Sequence, residues 1–160
     1  SGVTTGTSGG YRVTIEPSAA RTEALYADVA VSGAGSEVAL APGQGSRVSV
    51  GQAPSPPVDL LVTGALRKPP DATPLLRPSF GWDAVDTALG YRLEIALDPG
   101  FVQVVFAEDV PGNRFDASVL MLPYDRVDAL HWHVASFDRF GFLGVPSDPR
   151  TVKLPVGDLD

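Results

Sequence analysis

His131 and His133 are the two histidines of the 160-residue chain. Two residues apart on a strand they share one face, which is how a zinc site can begin. Leu130, Trp132, Val134 and Ser136 take the inward phase, so the histidines turn outward. There they should meet Arg92 and Glu94 on a neighbouring strand, and Thr151 and Lys153 on the last. Glu94 could act as a third ligand, but the Arg92 and Lys153 cations repel a metal ion. Arg92, Glu94, His131 and His133 are therefore read as a polar sheet face, with a pH-sensitive partner contact as the alternative use. Neither a metal nor another cofactor is expected.

Other chemistry lacks its context. Gly6-Thr7-Ser8-Gly9-Gly10 matches G-x-S-x-G, yet that motif needs a strand before it, a helix after it and a histidine base; here a strand pattern follows. Gly33-Ala34-Gly35 and Gly43-Gln44-Gly45 do not complete G-x-G-x-x-G, because Val38 and Val48 stand at the third glycine position. Carboxylates such as Asp83 and Asp86, or Glu108 and Asp109, have no spacing that separates an acid from a base. Cysteine is absent, which removes thiolate catalysis and Cys-ligated metals. Trp82, Tyr91 and Trp132 could stack on sugars, but they alternate with polar residues and are read as core. The chain is expected not to be an enzyme.

Twelve basic against nineteen acidic residues give a net charge of −7, which phosphate polyanions and anionic lipid repel, so no nucleic-acid partner is expected. No apolar run approaches the roughly 18 residues that span a bilayer, so no membrane insertion is expected either. A start at Ser1-Gly2 without Met reads as a fragment of a longer exported protein whose targeting signals lie upstream.

These residues must be held by short strands, because 17 glycines and 15 prolines break the chain too often for a helical bundle. Tyr11, Val13 and Ile15 alternate with polar residues, as do Leu25, Ala27, Val29 and Val31. A Gly33-Ala34-Gly35-Ser36 turn leads to Val38 and Leu40, and a Pro42-Gly43-Gln44-Gly45 turn to Val48 and Val50. This spacing predicts a Gly-rich β meander or a short β-solenoid over residues 1–53. Prolines at 54, 56 and 57 predict a linker over 54–64. Residues 65–157 then carry strand patterns at Phe80–Trp82, Tyr91–Leu97, Phe101–Phe106, Asn113–Ala117, Leu130–Phe137 and Thr151–Leu154, with a helical turn at Ser118–Leu122. The prolines between Ala65 and Ser79 mark an irregular edge strand, and the whole reads as an immunoglobulin-like sandwich.

Phe80-Gly81-Trp82-Asp83-Ala84-Val85, Gly90-Tyr91-Arg92-Leu93-Glu94-Ile95-Ala96, Leu130-His131-Trp132-His133-Val134-Ala135-Ser136 and Gly144-Val145-Pro146-Ser147 resemble a bacterial fibronectin type III domain. Leu130 stands where that family usually has the tyrosine of its tyrosine corner. Gly10-Tyr11-Arg12-Val13, Arg21-Thr22-Glu23-Ala24-Leu25, Val29-Ala30-Val31-Ser32-Gly33 and Val38-Ala39-Leu40-Ala41-Pro42-Gly43-Gln44-Gly45 resemble the later half of a FecR domain. The two resemblances imply a periplasmic or cell-envelope protein, a noncatalytic interaction or scaffolding module with an envelope protein partner, and a link to FecR-type signalling. A glycan- or peptidoglycan-binding accessory module is the alternative.

One stretch stands out as a place for that partner. Phe137, Phe140, Phe142, Leu143 and Val145 are unusually apolar for a loop between the last two strands of a sandwich. Phe140, Phe142 and Leu143 are expected either to anchor a partner or to pack on the sandwich core or the Gly-rich first region.

Overall fold

Short β-strands are the regular elements of the computed structural model, which is described for residues 3–6, 10–74, 78–116 and 128–153. Ser8 and the expected helical turn at Ser118–Leu122 lie outside the described residues. The protein is all-β and divides into two compact units: residues 1–61 with 138–145, and residues 62–137 with 146–160.

In unit 1 the strands are β1 (Val3–Gly6), β2 (Tyr11–Ile15), β3 (Ala19–Ala24), β4 (Val29–Gly33), β5 (Ser36–Leu40), β6 (Gln44–Ser49) and β7 (Val58–Asp59). They form two antiparallel sheets, β1-β4-β5 and β2-β3-β6-β7, rather than one meander or a stacked solenoid. Ala24, Val29, Val31, Leu40 and Val48 make a small core, with Tyr11 and Val38 packed on it. The β4–β5 hairpin closes on Ala34 and Gly35, both at positive φ (47° and 77°), as a two-residue type I′ turn requires.

Residues 54–61 of the stretch expected to be a linker belong to unit 1. Ser55 donates its N–H to the Arg47 carbonyl and accepts the Arg47 N–H on Oγ. Beyond the last proline the chain again has N–H groups, and Val58–Asp59 pair with Gly45 and Gln44. The division falls between Leu61 and Val62, inside the 54–64 stretch expected to be a linker.

Unit 2 contains β8 (Leu66–Lys68), β9 (Thr73–Pro74), β10 (Ser79–Trp82), β11 (Gly90–Ala96), β12 (Val104–Val110), β13 (Arg114–Asp116), β14 (Ala129–Phe137) and β15 (Arg150–Lys153). They form two sheets, β13-β10-β8 and β12-β11-β14-β15-β9, antiparallel apart from the β15–β9 pair. Residues from both sheets, among them Phe80, Trp82, Leu93, Ile95, Trp132 and Val134, share a single core, which gives the unit its sandwich-like character. Phe80 and Trp132 meet edge to face with centroids 4.8 Å apart, and Trp82 and Tyr91 do so at 5.5 Å. The indole N–H groups of Trp82 and Trp132 have no acceptor among the described residues, a cost of about 1–3 kcal/mol each that such packing must outweigh.

Candidate functional site

The site residues expected from the sequence fall into two groups, one in each unit. In unit 2, pairing places Glu94 opposite His133, Arg92 opposite Ala135 and Asp109, and His131 opposite Thr151. Arg92, Glu94, His131 and His133 thus share one sheet face. His133 Nε2 lies 2.8 Å from Glu94 Oε2, and His131 Nδ1 lies 3.2 Å from Thr151 Oγ1. Arg92 donates from two nitrogens to Asp109, at 2.8 and 3.2 Å, and its guanidinium sits 5.4 Å from the centre of the Phe137 ring. Among the described residues no three His, Asp or Glu side chains converge as a metal-holding group.

Sequence reasoning missed Phe101, whose ring stacks on His133 with centroids 3.6 Å apart and planes within 4°. Its backbone has φ 55°, and the Asp98 carboxylate holds the loop there by accepting the N–H groups of Gly100, Val102 and Gln103. The bond from Gln103 is the chief reason the Asp98 pKa falls below its ordinary value. The Asp98-Pro99-Gly100 signal marks this turn; nothing in the sequence says that its aromatic folds back over a histidine. Trp82, Tyr91 and Trp132 are buried and present no ring to a sugar.

The second group lies in unit 1. Residues 138–145 follow β14 in sequence, yet they pack with the first sixty residues. Register explains how they are held. Arg12 on β2 stands directly across from Glu23 on β3, and Glu23 across from Gly45 on β6. Arg12 Nη1 donates to the Leu143 carbonyl (3.0 Å), and the Leu143 N–H donates to Glu23 Oε1 (3.1 Å). One cross-strand pair thereby captures both polar groups of a single peptide residue, as an adjoining strand would. The third position of that row has no side chain because Phe142 occupies the space: a Cβ on Gly45 would lie 2.9 Å from Phe142 Cδ1 and 3.0 Å from Leu60 Cδ2. Burial pushes the Glu23 carboxyl pKa up, while Arg12, the Leu143 N–H and Arg21 pull it down.

Asp138 closes the loop on itself. Its Oδ1 accepts the N–H groups of Phe140 and Phe142 at 2.8 and 3.0 Å, and its own N–H bonds the Phe142 carbonyl. Phe142 and Leu143 are buried at 3% and 4% exposure, packed with the Gly-rich first region, the second of the two uses expected for them. Phe140 is 50% exposed. It borders a groove of about 580 Å³ lined by Arg47, Pro56, Pro57, Arg139 and Phe142 among others, with the Arg139 guanidinium 4.7 Å from the centre of its ring.

No protein-family model matches the chain, and no curated protein matches it. A second depression, of about 590 Å³, lies in unit 2 between Val62–Leu66 and Pro146–Arg150. There the Asp71 carboxylate accepts the Thr151 N–H, and Arg150 donates to the Pro69 carbonyl, so both groups are committed to backbone. Of the two concavities, the groove beside Phe140 is the one that offers an exposed aromatic.

Proposed function

We propose that the protein is a noncatalytic interaction or scaffolding module of the bacterial cell envelope, part of a FecR-type protein, and that Phe140 is where it meets an envelope protein partner. The carrying observation is the contrast within one loop: Phe142 and Leu143 are buried, Asp138 and Glu23 fix the backbone, and the intervening Phe140 is half exposed beside a groove. An aromatic whose backbone is already ordered loses little freedom on binding, which is what an interface anchor needs. The fibronectin type III reading of unit 2 is supported by its pairing: β8, β10 and β13 in one sheet correspond to strands A, B and E, and β11, β14 and β15 in the other to C, F and G.

Photo-crosslinking tests this role. With p-benzoylphenylalanine at position 140, ultraviolet light on cells expressing the protein should give one dominant protein adduct. The same probe at position 15, where Ile15 is 76% exposed in the same unit, should give none. Equal adduct patterns from both positions, or none from 140, would contradict the proposed anchor.

A further inference from the structure

We propose that the groove beside Phe140 takes an extended acidic peptide segment of a partner protein, an aliphatic or aromatic side chain of which lies between carboxylates. This rests on the reading that Phe140 faces a partner and adds the chemistry of what it meets.

Charge carries the inference. The chain has nineteen acidic and twelve basic residues, yet two arginines and no carboxylate line the groove. A third guanidinium stands close by: Arg21 Nη1 is 2.9 Å from where a Cβ on Gly141 would sit. Against Arg21, Arg47 and Arg139 stand two carboxylates, Glu16, shared by Arg21 (2.8 Å) and Arg47 (2.9 Å), and Asp138, which accepts the Phe140 N–H (2.8 Å). Around Phe140 the balance is one positive charge against a molecule of net −7, so this groove favours an anionic ligand more than the molecule as a whole does.

The walls choose the kind of anion. Pro56, Pro57, Phe140 and Phe142 are apolar and suit a hydrophobic side chain. The net charge of −7 disfavours a nucleic acid, whose phosphates would face the rest of the surface. Because Pro56 and Pro57 lack N–H groups, a ligand cannot build a regular ladder along them, and recognition falls to side chains. Arg139 over the Phe140 ring has a guanidinium fork of the shape that binds a carboxylate in two-point fashion.

The test pans a phage-displayed library of random dodecapeptides on the intact chain and measures the enriched peptides by fluorescence anisotropy. Enrichment of Asp and Glu around an aliphatic or aromatic residue is expected, with affinity that weakens as salt rises. Arg139→Glu and Phe140→Ala should each weaken binding tenfold or more, with melting temperatures close to wild type. Arg114→Glu, at an exposed position on β13, should leave binding unchanged. Should Phe140→Ala fail to fold, the exposed Arg139→Glu decides alone. Neutral or basic peptides that still depend on Phe140 would overturn the acidic ligand and leave the interaction role standing. Peptides indifferent to both groove variants, no enriched peptide at all, or equal competition by a DNA duplex would each overturn the proposal.

Discussion

Glu23 holds its proton more tightly in the folded chain than in the unfolded one, because desolvation at 1% exposure outweighs the pull of Arg12, the Leu143 N–H and Arg21. A carboxyl with a raised folded pKa contributes stability that is fully present below its ordinary value of 4.5 and is lost as pH rises through the folded pKa. Glu23→Gln keeps an oxygen to accept the Leu143 N–H and removes the ionisation. Denaturant titrations from pH 4 to pH 8 should show wild type losing stability relative to Glu23→Gln as pH rises; parallel curves would contradict this account. The same residue marks a limit of sequence reading. An acidic residue between Thr22 and Ala24 reads as solvated, and only the register with Arg12 shows that it faces inward to hold a distant peptide group.

Among the elements, those with an apolar phase were legible and those without were not. Tyr11 to Ile15, Tyr91 to Leu97 and Leu130 to Phe137 alternate and are strands close to where expected. The strand β3, Ala-Ala-Arg-Thr-Glu-Ala, buries Thr22 and Glu23, so hydrophobic alternation could not reveal it even though it is central to its sheet. The Val58–Asp59 strand was hidden by the prolines before it. Turn chemistry was legible at Gly33-Ala34-Gly35-Ser36, with one flaw that invites a test. Ala34 has φ 47°, a conformation that strains a residue with a Cβ and suits asparagine better. Ala34→Asn should stabilise the hairpin by about 1 kcal/mol, seen as a rise in melting temperature; a fall would show that the turn is held by something other than its own dihedrals.

At the scale of the whole molecule, both tryptophans belong to unit 2, so indole fluorescence follows that unit's unfolding. Trp132 is fully buried and bridges the two sheets through Phe80. Trp132→Ala should cost about 3–5 kcal/mol, a large share of the roughly 5–15 kcal/mol a domain has to lose. Urea unfolding followed by Trp82 emission should shift to a much lower midpoint; an unchanged midpoint would mean that the sheets do not depend on this contact. The membership of residues 138–145 in unit 1 was not legible, because nothing local to Phe142 names Gly45 as the surface it covers.

That membership sets an order of events during synthesis. A ribosome or a translocation channel delivers the chain from its N-terminus, so β2, β3 and β6 emerge while the residue that satisfies Glu23 has yet to be made. Unit 1 begins first but is completed only after every residue from 62 to 137 has been added. A nascent or truncated chain ending before Leu143 lacks Phe140 and Phe142 or the peptide group that pins them. The groove they line therefore exists only on chains elongated through this loop, and a partner that reads it passes over shorter ones.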